Sequence, residues 1–253
     1  MNVIPQLTKT FLVPATIALF APGSLRAENL PDMRPALVGN GKDSLVNMFN
    51  PENVLKRGET HGALYFGCIV APNGVVEHGN IWGNTDATKA LRDELRIKLS
   101  RSHFVPAVYN HRNVYSWFQG TLAFSTTDGK PHVRIFANQQ LPELQKESDF
   151  ISPQIVSVPG HIYDFTKVKD PFGGWATEDK PVVAEMNLSV DASGNVKDIH
   201  LEKITPPDQQ KYAAAAVEVL KQRTWLPAYR NGRPVDSTTQ FRYYFIPAYH
   251  SLQ

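Results

Sequence analysis

The sequence predicts an α+β protein of two small antiparallel three-stranded sheets, each with one helix packed on it. Three observations predict this. Phe104, Pro106, Ala107, Asn110 and Val114 recur as Trp225, Pro227, Ala228, Asn231 and Val235. Ahead of each occurrence lies a helical pattern, and ahead of that lie two alternating segments joined by turn residues. Asn73-Gly74 with Val76 aligns on Ser193-Gly194 with Val196, and Phe124 aligns on Phe245, at near-constant spacing with one inserted residue. That is an internal duplication, with a period too long for a solenoid and suited to two domains of one kind.

At the N-terminus, Lys9 precedes a short apolar stretch, FLVPATIALFA (11–21), and small or polar residues follow to Ala27. This predicts a secretory signal peptide over residues 1–27, cut after Ala27, and hence a periplasmic protein. A spanning helix needs about 20 apolar residues, and this stretch is far shorter and contains Pro14. An uncleaved segment would instead hold the protein at a membrane. Residues 28–60 form an N-terminal extension.

The first domain covers residues 61–138. LYFGCIVA and VVEHGNIW flank the Asn73-Gly74 turn as a hairpin. A helix is predicted over 86–102, where Ala87, Leu91, Leu95 and Leu99 are spaced by four. Pro106 ends it, VYSWFQGTLAF returns as the third strand, and beyond Asp128-Gly129 HVRIFAN extends the sheet by a further hairpin. Residues 139–180 are interrupted by Pro and Gly, yet they carry FISPQIVSV, HIYDF, Phe172 and Trp175. A purely flexible linker carries no such aromatics, so this one is expected to be partly ordered.

The second domain covers 181–253. VVAEMNLSV and NVKDIHLEKI alternate about the turn Asp191-Ala-Ser-Gly194. Asp208 is a candidate N-cap for a helix over QQKYAAAAVEVLKQRTW, which Pro227 ends. Asn231-Gly232 turns the chain into the last strand, STTQFRYYF. In both domains the helix carries the chain back. The third strand therefore fits beside the first, giving the order 2-1-3.

Hydrophobic residues at 42% and charged residues at 20% are ordinary for a globular chain. A formal charge of +2 gives no case for nucleic acid as a partner. Removing residues 1–27 takes away Lys9 and Arg26 and no acid, so the mature chain is neutral. Cys68 is the only cysteine, which leaves no internal disulfide and reads as a buried strand residue. Of eight histidines, His61, His78, His103, His111 and His132 lie in the first copy, without the spacing of a metal site. There is no phosphate loop, and Ser193-Gly194 is explained as a turn. No enzyme activity and no cofactor are expected.

Asp191-x-x-Gly194-x-Val196, the Ala-rich helix, Trp225-Leu-Pro-Ala and Asn231-Gly232-x-x-Val235 together resemble the TonB C-terminal domain family. The first copy is a diverged version, with Ala71-Pro-Asn-Gly-Val-Val at the turn and His111 where the family has Gly. Together the copies cover roughly half of the mature chain. Members are periplasmic domains of energy transducers that pair an edge strand with a short peptide of an outer-membrane receptor. The resemblance implies a TonB-C-like fold and a peptide-accepting edge over residues 236–245.

Arg233, Gln240 and Arg242 lie on or before that strand. They are candidates to border an added peptide and select acidic or polar side chains; the alternative is a solvated strand face. The expected function is a periplasmic binding module that captures a receptor peptide or envelope protein by edge-strand pairing, with a possible link to outer-membrane transport. The alternatives are a membrane-anchored energy transducer and a purely structural envelope protein.

Overall fold

The structure is a computed structural model and describes residues 30–83, 88–146, 148–157, 182–208 and 210–245. The expected signal peptide lies outside the described residues, as do residues 158–180 of the expected linker. Among the described residues no helix is long and apolar enough to cross a membrane.

Short elements open the chain: β1 (Met33–Arg34), α1 (Leu45–Met48) and α2 (Pro51–Lys56). Ser44 caps α1 and Asn50 caps α2 through their side-chain oxygens, and Pro51 sits in the first turn, where its missing N–H costs nothing. The first copy then builds β2 (His61–Val70), β3 (Val76–Trp82), α3 (Lys89–Leu99), β4 (Ala107–Tyr109), β5 (Arg112–Thr127) and β6 (Lys130–Phe136). Between the copies lie α4 (Leu141–Gln145) and β7 (Gln154–Ser157). The second copy builds β8 (Val182–Val190), β9 (Val196–Thr205), α5 (Gln210–Lys221), β10 (Thr224–Leu226), β11 (Ala228–Arg230), β12 (Arg233–Val235) and β13 (Ser237–Phe245).

The expectation of two small three-stranded sheets, each with one helix, is overturned. The molecule is mostly antiparallel sheet, and its larger sheet has eight strands curled into a half-barrel. The cause is β5. It runs 16 residues, pairs with β2 along one side, and on the other meets β4 and β7 near its start and β6 near its end. Strands from outside the first copy complete this sheet: β1 pairs with β4, and β10, from the second copy, pairs with β7. Backbone groups that a three-stranded sheet would leave at its edge thereby find partners. The second sheet has three strands in the order β13-β8-β9.

The predicted helix ends are corrected too. α3 and α5 stop at Leu99 and Lys221, well before Pro106 and Pro227. Residues 224–226 are strand because β7 offers them a ladder, with Trp225 opposite Ile155 and Leu226 opposite Gln154.

Two cores result. In the first, Leu64, Phe66, Cys68 and Val70 of β2 and Phe118, Leu122 and Phe124 of β5 join Leu91, Leu95 and Leu99 of α3. Leu45, Phe49 and Val54 of the N-terminal extension add to it. In the second, alternate residues of β8 (Ala184, Met186, Leu188, Val190) meet Ala213, Ala216 and Leu220 of α5. The cores interlock because successive strand side chains point to opposite faces. Ile69, Trp117 and Ile155, on the other face of the large sheet, belong to the second core. In β10, Trp225 enters the second core and Leu226 the first.

The duplicated phrase also gains a physical reason. Gly74 and Gly194 both have φ of +85°, and a Cβ on either would lie 2.3 Å from a backbone oxygen, that of Phe104 or Trp225. The residue leaving each helix thus packs its carbonyl onto the hairpin turn, where only Gly fits. Asn110-His111 and Asn231-Gly232 are all at positive φ, the paired left-handed geometry of a two-residue hairpin.

Candidate functional site

STTQFRYYF forms β13 because β-branched and aromatic residues suit a half-buried pleat. Its alternation is clear over the residues whose side chains are described. Thr239 and Phe241 are buried, whereas Thr238, Gln240 and Arg242 are exposed. Phe241 meets Trp225 edge to face at 5.7 Å between ring centroids, which holds the strand on its core. Among the described residues β13 pairs only with β8, in continuous register from Ser237↔Val190 to Phe245↔Val182. Its other edge carries no strand among them.

Gln240 and Arg242 line one cleft together with Tyr65, Trp82, Gln119 and Gln139 of the first copy and its following loop. The cleft holds about 160 Å³. Tyr65 and Trp82 are direct cross-strand partners at the end of the β2–β3 hairpin, and both are half-buried. Gln119 comes from β5. Gln139 is held by its side-chain amide, which donates to the backbone oxygens of Phe66 at 2.9 Å and Gly120 at 3.2 Å. Its loop is anchored in turn by Thr121, whose hydroxyl donates to Asn138 O at 2.6 Å, and by the Asn138 amide on Phe150 O at 3.0 Å.

Arg242 stands opposite Glu185 of β8, with 3.7 Å between guanidinium and carboxylate. The separation exceeds a charge-assisted hydrogen bond, and the Arg242 side chain is 41% exposed. Most of its donors therefore face the cleft or solvent.

The structure brings two of the three predicted candidates together and separates the third. Arg233 lies on β12, in the two-stranded ribbon β11-β12, opposite Arg230. Arg230 is tied to the segment between the copies: it meets Glu143 at 2.9 Å and lies over the Phe150 ring at 5.0 Å. The Arg230 guanidinium bonded to it, together with the Ser148 hydroxyl, holds the Glu143 carboxyl down to about 2.

Sequence reasoning missed Tyr65, Trp82, Gln119 and Gln139. Gln119 left a signal, a lone amide within the apolar run VYSWFQGTLAF. Tyr65 and Trp82 become neighbours only through the β2–β3 register, and Gln139 only through the curl of the sheet.

Other groups offer less. Cys68 is fully buried, and burial pushes its thiol far above the ordinary range. Among the described residues no group of three or more His, Cys, Asp or Glu is placed to hold a metal ion. A polar hollow of about 420 Å³ lies between Tyr109 of the first copy and Asn195, Lys221 and Arg223 of the second. It is wide open, and it borders the start of β9, which among the described residues also pairs only with β8. Asp191, below its ordinary pKa through its bonds to Lys197 and Asn195, serves the hairpin turn by accepting from the Ser193 and Asn195 backbone.

No family model, no curated protein and no solved structure matches this chain.

Proposed function

We propose that this chain is an exported, non-catalytic binding module of the bacterial envelope, which captures an extended peptide or a strand of an envelope protein by pairing with β13. The observation that carries the reading is a nine-residue strand with a partner on one side among the described residues. Main-chain hydrogen bonds along such an edge supply affinity, and alternate side chains beside it supply selectivity. The cleft next to Gln240 and Arg242 gives those side chains a place to go. Its volume is well below the roughly 300 Å³ at which small-molecule and cofactor sites begin. The resemblance of the second copy to TonB C-terminal domains points to the same mode of capture.

A second reading, a purely structural envelope protein, is favoured by the interlocking of the two cores through β10. Amide exchange at residues 237–245 separates the two. Capture predicts fast exchange along the outer edge of β13 in the free protein, slowed by extended octapeptides while α5 is unchanged. An edge already protected without peptide, or one that no peptide protects, would favour the structural reading.

A further inference from the structure

We infer that the cleft beside β13 selects a peptide carrying an aromatic side chain and an acidic side chain two positions apart. The inference rests on the strand-capture reading and names the partner chemistry of that site. Size is the first argument. A cavity of about 150 Å³ takes one benzene-sized ring, so a cleft of about 160 Å³ fits a single aromatic side chain.

The lining is the second argument. Tyr65 and Trp82 stand side by side across the β2–β3 ladder and form an aromatic wall, half-buried before any ligand arrives. An aromatic ring between that wall and the Gln119 and Gln240 amides gains stacking or edge-to-face contact and loses little side-chain entropy.

Charge is the third argument. Among the described residues Arg242 is the one cation in the lining, and its Glu185 partner at 3.7 Å is too distant to use its donors fully. A peptide carboxylate can approach the remaining guanidinium donors in a two-pronged geometry. Glu185 remains beside it, so an acidic side chain must reach the face of Arg242 turned away from β8.

Register joins the two requirements. Residues two apart on a strand share a face, and Gln240 and Arg242 are two apart on β13. A strand laid along this edge therefore places one side chain opposite Gln240, at the aromatic wall, and another on the same face opposite Arg242.

The test is a panel of blocked octapeptides that are otherwise Thr and Ser. They carry Phe and Glu two apart in either order, the same with Lys for Glu, or with Ala for Phe. Calorimetry gives affinities, and amide exchange at residues 237–245 reports strand pairing. One Phe/Glu order should bind about tenfold tighter than its Lys or Ala counterpart. Trp82→Ala should abolish the Phe preference, and Trp82→Phe should retain most of it. Arg242→Glu should invert the preference from Glu to Lys. Thermal melts of the variants and unchanged exchange in α5 guard against misfolding. Equal affinities across the panel with β13 protected would overturn the selectivity and leave strand capture standing. No protection of β13 by any peptide would overturn both.

Discussion

The two copies place the same motif in different surroundings. Phe104 leaves the first helix and packs edge to face on Phe118 at 5.1 Å, inside the core of its own copy. Trp225 leaves the second helix at the equivalent point, yet it lies in a strand of the other copy's sheet. Its indole N–H donates to Leu220 O at 3.1 Å, which satisfies a carbonyl at the end of α5. The third strand differs in the opposite sense. In the first copy it is β5, paired on both sides; in the second it is β13, paired on one side among the described residues. A repeated motif can thus keep its local chemistry while the strand that follows it becomes the spine of one sheet, as β5 does, or an edge of another, as β13 does.

Three measurements break or sharpen this comparison. Truncating the exit aromatics has the largest expected effect. Phe104→Ala and Trp225→Ala should each cost about 3–5 kcal/mol in urea unfolding, as buried aromatic deletions do. They should differ in form: Phe104→Ala keeps one cooperative transition, whereas Trp225→Ala separates the unfolding of the two cores. A single coincident transition for Trp225→Ala, followed by tryptophan fluorescence and by far-ultraviolet dichroism, would show that β10 does not couple them.

The turn glycines come next. Gly74→Ala and Gly194→Ala force a Cβ against a carbonyl at positive φ, and each should cost roughly 1–3 kcal/mol. Near-equal losses would confirm that both turns serve the same contact. A much smaller loss at Gly194 would place the second turn in a looser setting.

The smallest effect concerns the tie between the copies. The pKa of Glu143 is lowered from an ordinary 4.5 to about 2, chiefly by its bond to Arg230. A depressed carboxyl contributes stability that is fully present above its unfolded value and lost as pH falls through the folded one. The wild type should therefore lose stability between pH 4.5 and about 2 through this group. Glu143→Gln should flatten the profile in that window while lowering stability at neutral pH. An unchanged slope would mean that the ion pair is not held in solution.

Much of the local structure is legible in sequence. VVAEMNLSV alternates as β8 does, with Ala184, Met186, Leu188 and Val190 buried and the residues between them half-exposed. Asn231-Gly232 marks its turn, and Leu91, Leu95 and Leu99 mark the buried face of α3. The large sheet is not legible, because its assembly depends on pairings across long stretches of chain. Nothing in Met33-Arg34 signals a ladder with β4, and nothing in Gln154–Ser157 signals a strand lying between β5 and β10. Gln154 illustrates the difficulty. Its side-chain amide accepts from Ala36 N at 2.8 Å and donates to Ala36 O at 3.0 Å, which stitches the extension to the inter-copy segment. A buried glutamine with that role has no local pattern. For the candidate site, Gln240 and Arg242 could be named from the strand they occupy, but the aromatic wall opposite them belongs to another sheet.

The position of β10 also constrains how the chain can be made. The large sheet receives its last strand from residues 224–226, which follow β8, β9 and α5 in the chain. Until that stretch emerges, β7 has an open edge and the first core lacks Leu226. Pairings this distant in sequence form slowly and leave strand edges exposed meanwhile. The large sheet is therefore completed only after α5 and before β13 has been made, and a chain released before β10 would end with an adhesive edge.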